Sequence, residues 1–194
     1  MSDAVLFLFR FLLFVAVHSI LAIPSLKRRV SEKNKHLSRF YRVYYNLLSL
    51  ALFGWTMAAF RNSTVLYVVP GVWSLVMYFM QLLFLIILIA CTRQTGVADF
   101  LGVHRLSATG VHPHSLITSG CYRVVRHPLY LYSILFLLCN PVISTRWLLL
   151  TLFSTIYFVI GARLEETRLV LEFGDEYRAY QHAVPFMFPR IFTR

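Results

Sequence analysis

At 194 residues, with 58% hydrophobic and 14% charged positions, the chain is too apolar for a soluble domain, which carries about 45–50% apolar and about 25% charged residues. The formal charge of +11 would suit a nucleic-acid binder if the basic residues formed one patch. They fall instead in alternate segments between apolar runs, so a lipid bilayer is the expected partner and nucleic acid is not.

Residues 4–23 form the first apolar run, interrupted only by Arg10 and His18. Its start is acidic at Asp3 and its basic cluster follows the run, the reverse of a signal peptide, so it reads as a retained first span. The aromatic stretch 41–45 leads into residues 47–60, the second span. Residues 72–90 give nineteen uncharged positions, close to the roughly 20 that a crossing helix needs. Residues 129–143 and 147–162 are shorter, and a break at 144–146 separates them. They suit two tilted helices in a tight hairpin.

The segments after the first, third and fifth runs hold sixteen Lys and Arg; those after the second and fourth hold Arg61 and Arg146 alone. This alternation predicts five spans, with the N-terminus outside and the C-terminus in the cytoplasm. The expected fold is an all-α polytopic membrane helix bundle, one domain over 1–194. Residues 1–90 supply three spans, and 91–194 supply a polar loop, the hairpin and a tail helix.

Polar residues gather in that second part. The stretch 91–127 holds His104, His112, His114 and His127, four of the seven histidines. The tail 163–183 holds five of the eight acidic residues. In the tail Val170, Phe173, Tyr177 and Tyr180 recur at helical spacing with Glu166 on the same stripe, which predicts a cytoplasmic amphipathic helix. Gly174 is expected to interrupt it, since Gly costs about 1 kcal/mol against Ala inside a helix, and Asp175 is placed to cap a second short helix. Cys91, Cys121 and Cys139 are scattered without metal or redox spacing. No metal is expected, because His112 and His114 flank Pro113 without an evident third ligand.

Two clusters carry the chemistry. One is His114-Ser-Leu116-Ile-Thr-Ser-Gly120-Cys-Tyr122, running into Arg126-His127-Pro128-Leu129-Tyr130; the other is Glu165-Glu166 followed by Phe173-Gly174-Asp175-Glu176-Tyr177. Pro128 fits the first turn of the fourth span, where its missing N–H costs nothing. That puts Arg126 and His127 at the helix mouth, and the hairpin returns the two glutamates beside them. Ionisable groups at membrane depth are costly and usually face an interior cavity. Carboxylates and aromatic faces attract a cation, and arginine can grip a carboxylate. Together they suit a zwitterion with a sulfonium, such as S-adenosylmethionine.

The order His-x-Leu-x-x-x-Gly-x-Tyr, Arg-His-Pro-x-Tyr, Glu-Glu and Phe-Gly-x-x-Tyr over residues 112–185 resembles the membrane methyltransferase superfamily, which includes isoprenylcysteine carboxyl and phospholipid methyltransferases. The N-terminal half is more similar to the NnrU-type branch, itself similar to methanethiol S-methyltransferases. That likeness rests on His18-Ser19, Tyr41-Arg42, Tyr45-Asn46 and Asp99-Phe100-Leu101-Gly102. The resemblance implies a cofactor pocket lined by His114, Leu116, Gly120, Tyr122, His127, Tyr130, Glu165 and Glu166. Arg126, His127 and Glu166 are the expected catalytic residues, and S-adenosylmethionine the expected cofactor.

Two positions depart from the pattern. Tyr132 stands where many relatives have glycine, and Gly161 stands where the isoprenylcysteine branch tends to carry arginine, with Arg163 offset by two. Both favour a small or slim acceptor, such as a thiol. Isoprenylcysteine-type carboxyl methylation, an NADPH-dependent membrane reductase and a non-enzymatic NnrU-type accessory protein stay open as alternatives. Arg10 and His18 are equally placed to bond between helices or to touch a substrate cavity.

Overall fold

The computed structural model describes residues 2–94 and 116–189. Described residues form α1 (Asp3–Ala22), α2 (Pro24–Lys33), α3 (Lys35–Met57), β1 (Val65–Val68), α4 (Val72–Gln94), a 3₁₀ turn (Gly120–Arg123), α5 (Pro128–Leu138), β2 (Val142–Ser144), α6 (Thr145–Phe173) and α7 (Asp175–Ala183). The chain is thus mostly helical. Its described residues divide into two compact units, the first holding α1–α3 and the second β1, α4, the 3₁₀ turn, α5, β2, α6 and α7.

In the first unit, Ser2 caps α1 by accepting the Val5 N–H, and Asp3 adds favourable negative charge to its first turn. Phe7 and Phe11 are buried, and Phe7 meets Phe60 at 5.7 Å. The polar residues of α1 bond across to α3. Arg10 donates to the Trp55 carbonyl at 2.8 Å with its guanidinium 4.4 Å from the Trp55 ring centre. His18 bonds Ser49 at 2.9 Å and the Tyr45 hydroxyl at 2.7 Å.

In the second unit, α4 packs on α5, and α5 on α6. Gln81 donates to the Phe136 carbonyl at 3.1 Å, and Tyr132 lies 6.1 Å from Phe84 on α4. Trp147 donates from its indole to the Leu137 carbonyl at 2.8 Å. Ser144 caps α6 through the Trp147 N–H.

Three sequence expectations need correction. The fourth apolar run was expected to stay helical over 129–143, but α5 ends at Leu138. Pro141 cannot continue a helix, and the residues after it pair with β1 in an antiparallel two-stranded sheet. At 11 residues, α5 is only about 17 Å long against a hydrocarbon core of about 30 Å. The fifth run and the tail were expected as separate helices. Instead one 29-residue helix, α6, continues to Phe173, because Ala162-Arg-Leu-Glu-Glu is a run of strong helix formers. The break comes at Gly174, whose φ of +57° is a conformation that favours glycine at a helix end. Gly174 rather than Asp175 occupies the N-cap of α7.

α1, α4 and α6 are long and apolar enough to cross a bilayer; α5 is apolar but shorter. α3 carries Lys35, Arg39 and Arg42 in its first eight positions. Along α4, Val72, Trp73, Leu75, Phe79, Leu82, Ile86 and Ile89 are exposed, as a lipid-facing surface requires.

Candidate active site

The site is built where the mouth of α5, the far part of α6, and α7 with the chain after it converge. Pro128 occupies the first turn of α5, and Arg126 and His127 precede it. The Arg126 and His127 backbone N–H groups donate to the carbonyls of Pro185 (2.9 Å) and Phe186 (3.2 Å). The chain beyond α7 therefore runs alongside the helix mouth like a short strand. Met187 and Val125 are buried there, with Leu131, Ile134 and Ala162 in the same core.

Glu166 is the hub. Its Oε1 lies 2.6 Å from Arg126 Nε, and both side chains are only 9% exposed, which makes this a buried ion pair. His127 Nε2 lies 3.3 Å from the same oxygen, and the Tyr177 hydroxyl donates to it at 3.4 Å. Gln181 donates to Oε2 at 3.2 Å. Arg126 Nη1 reaches further, to the Gln181 carbonyl at 2.8 Å and the Val184 carbonyl, so it closes the end of α7. Burying two charges repays its desolvation only when such extra hydrogen bonds complete the set. Here they do.

Glu165 is placed differently. Its side chain is 34% exposed, and its hydrogen bond is from the Tyr130 hydroxyl at 3.1 Å. His127 Nδ1 faces it at 3.9 Å, too far for a direct hydrogen bond. Aromatic rings wall this side: Tyr130 stacks 5.7 Å from His127 and 5.6 Å from Phe158, and Phe186 stands edge-on to His127 at 5.0 Å. Arg163 covers Phe186 at 4.2 Å. Among the described residues, a Cβ at Gly161 would meet the Tyr130 hydroxyl, at 4.0 Å.

The 3₁₀ turn supplies the third wall. Gly120 has φ +59°, a backbone conformation that favours glycine, and the Gln94 side-chain amide lies over its Cα. Gln94 accepts the Cys121 N–H at 3.0 Å, and Cys121 forms a disulfide with Cys91 of α4. Tyr180 donates its hydroxyl to the Tyr122 carbonyl at 2.5 Å. Leu116 packs against Tyr177, Tyr180 and Val184.

Electrostatics follow from burial. His127 is pulled below the usual imidazole value by desolvation, with Arg126 adding to the shift and the Glu165 and Glu166 charges opposing it. Tyr122 and Tyr180 are each pushed up to about 12, mainly by burial. With Nε2–H donating to a carboxylate, the neutral imidazole leaves Nδ1 as its acceptor.

Of the predicted residues, the structure brings Arg126, His127, Tyr130, Glu165 and Glu166 together, with Gly120, Tyr122 and Leu116 at the adjoining turn and core. His114, with His104 and His112, lies outside the described residues. Sequence reasoning missed Gln181 and Phe186, which nothing in the spacing marks. It also missed the Cys91–Cys121 pairing, since the two stand 30 residues apart and only the fold joins them. Tyr177 was visible as a motif residue but was not assigned to the site. Arg126 and Glu166 are turned toward each other and the tail, and Glu165 is the carboxylate on the more open side.

The sequence has relatives among known proteins. The NnrU protein family profile matches residues 6–160. Methanethiol S-methyltransferase 2 of Bradyrhizobium diazoefficiens is 28% identical over 187 residues, 94% of this chain and 71% of that protein. The methanethiol S-methyltransferase of Pseudomonas deceptionensis is 40% identical over 77 residues, 40% of this chain and 29% of its own length. The protein-S-isoprenylcysteine O-methyltransferase of Xenopus laevis is 33% identical over 125 residues, 61% of this chain and 42% of its own. No solved structure matches significantly. A profile that spans most of the chain, across α1 to α6, places this protein in the NnrU family.

Proposed function

We propose that this protein is an integral membrane methyltransferase that uses S-adenosylmethionine and methylates a small thiol. The observation that carries the reading is the half-exposed Glu165 carboxylate, bonded by Tyr130 and set among the rings of His127, Tyr130, Phe158 and Phe186. Relatives named methanethiol S-methyltransferases support both the reaction and the acceptor class. The residues fit the cofactor chemically: an ionised carboxylate beside aromatic faces suits a sulfonium or ammonium. Bound there, S-adenosylmethionine would supply an electrophilic methyl group.

The chain's own residues do the rest. Glu165 and Tyr130 hold the cationic end. Gly120 and Tyr122 shape the adjoining wall, and Glu166 with Arg126 fixes the frame on which His127 sits. A thiol reacts as its thiolate, and His127 Nδ1 is the atom placed to take that proton, since Nε2 is turned to Glu166. Burial keeps the ring neutral near pH 7, as a base must be. Alignment of nucleophile and methyl carbon then supplies most of the rate. Five crossings, an outer N-terminus and a cytoplasmic site complete the proposal, from the alternation of basic segments.

The small-acceptor reading rests on Gly161, which leaves the face beside Glu165 without a side chain, and on Arg163, which is engaged with Phe186. Tyr132 bears on it less directly, because it packs toward Phe84 of α4. The test supplies purified protein with labelled S-adenosylmethionine and compares a short alkyl thiol, a farnesylcysteine analogue and phosphatidylethanolamine. Preferential labelling of the thiol is expected. Methylation of the farnesylcysteine carboxylate without thiol turnover would overturn the acceptor.

A further inference from the structure

We infer that the Cys91–Cys121 disulfide is a thiol-exchange site that couples the redox state of its surroundings to the cofactor side of the active site. The pair joins the last turns of α4 to the 3₁₀ turn that carries Gly120 and Tyr122. The same turn is fixed by Gln94, which both accepts the Cys121 N–H and occupies the space over Gly120. From the turn, Tyr122 connects to α7 through the Tyr180 hydroxyl. The disulfide is therefore the covalent member of the set that holds one wall of the site against α4.

Its setting favours reversible chemistry over a permanent staple. In the orientation proposed above this end faces the cytoplasm, where disulfides are rare and mostly transient or redox-sensing. The two sulfurs differ in access: Cys91 is fully buried, whereas Cys121 is partly exposed. A small thiolate attacks the Cys121 Sγ. The Sγ–Sγ bond breaks, and Cys91 leaves as a thiolate that takes a proton from water. A second small thiolate attacks the outer sulfur of the mixed disulfide, forming a free disulfide and releasing the Cys121 thiolate, which is protonated in turn. Two thiols are oxidised and the protein pair gains two electrons. The reductant is of the same chemical class as the proposed acceptor, so the acceptor pool and the cellular thiol buffer both have access to the switch. Opening the bond leaves the turn with hydrogen bonds alone, and the oxidised form is the one with the ordered wall.

The inference rests on the proposed function for its effect on ligand binding, but not for the exchange itself. The experiment compares the air-oxidised protein in detergent with the same protein treated with a trialkylphosphine or a short alkyl thiol. Alkylation after denaturation should count one free thiol in the first state, Cys139, and three in the second. Binding of S-adenosylhomocysteine should weaken at least tenfold on reduction. The double substitution Cys91→Ser and Cys121→Ser should match the reduced form and ignore the phosphine, while Cys139→Ser should respond as the natural chain does. Three free thiols in the air-oxidised protein, or a disulfide that short thiols leave intact in the folded state, would overturn the exchange site. Equal affinity in the two redox states would overturn the coupling. If S-adenosylhomocysteine binds neither state, the methyltransferase reading fails. The exchange site is then judged by the thiol counts, and the coupling by hydrogen exchange at the Cys121 and Val124 amides, where unchanged protection on reduction overturns it.

Discussion

The two units handle polar side chains in opposite ways. In the first, Arg10 and His18 meet neutral partners on the neighbouring helix, a carbonyl, a serine and a tyrosine. In the second, Arg126 and His127 meet two carboxylates, and hydroxyl, amide and backbone groups complete the cluster. A neutral partner satisfies a polar side chain without fixing a second charge, which is the economy of helix–helix association in a bilayer. A pair of carboxylates at the end of an apolar helix is costly to keep and is expected where a cation must be held. On this comparison the first unit uses its polar contacts for assembly, and the second gathers the charges that the proposed chemistry needs.

The largest effect should come from breaking the ion pair. Arg126→Met leaves Glu166 buried and unpaired, a loss of about 3–5 kcal/mol, and frees the chain after α7. Thermal unfolding in detergent should show a large drop, smaller when Glu166→Leu accompanies it. Equal drops in the single and double variants would mean that the two charges are not coupled.

Next is the more open carboxylate. Glu165→Gln should weaken S-adenosylmethionine binding about ten- to a hundredfold, as expected for losing about 1.5–3 kcal/mol of charge-assisted bonding, with the melting temperature nearly unchanged. Glu166→Gln should do the reverse, costing stability first. Should calorimetry find Glu165→Gln binding the cofactor normally, the division of labour between the glutamates is wrong.

His127 supplies a pH signature. Its folded value lies below the unfolded 6.5, so the unfolded chain binds more protons in between. The contribution of His127 to stability is complete above about pH 6.5 and fades as pH falls through the lowered value, by at most about 1.4 kcal/mol per pH unit. Methyl transfer should fall over the same acidic window, as Nδ1 becomes protonated. His127→Gln should flatten the stability profile in that range; a retained slope would assign it to other groups.

The smallest effects belong to the first unit. His18→Ala should cost about 0.6 kcal/mol, the mean for such bonds in membranes, without altering cofactor affinity. Lost affinity would extend the site into α1 and α3.

How much of this was legible follows physical lines. Long apolar runs announce α1 and α4, and Pro128 announces the start of α5, because those signals are local. Arg-His-Pro-x-Tyr and the glutamate pair mark the site for the same reason. The end of α5 was misread because 129–143 was taken as one apolar run across Asn140 and Pro141, and the pairing of 142–144 with 65–68 is a long-range event. The division between Glu165 and Glu166 was hidden too. Neighbours in sequence differ by about 100° around a helix, and only the packing of α7 decides which of them is enclosed.

The length of α6 carries a consequence of its own. Its 29 residues make a rod of about 44 Å, while the hydrocarbon layer it crosses is about 30 Å thick. One end continues from β2, and the other carries Glu165 and Glu166. Only its first part, through residue 162, is apolar, about 27 Å of helix, and a stretch shorter than the hydrocarbon layer is accommodated by local thinning of the bilayer and by flanking polar residues reaching to the interface. Either adjustment changes the depth at which Glu165 and Glu166, just past the apolar part, sit in the interface. Lipid thickness thereby becomes a mechanical input to catalysis, and vesicles of short- and long-chain phospholipids should tune turnover without any change in the protein.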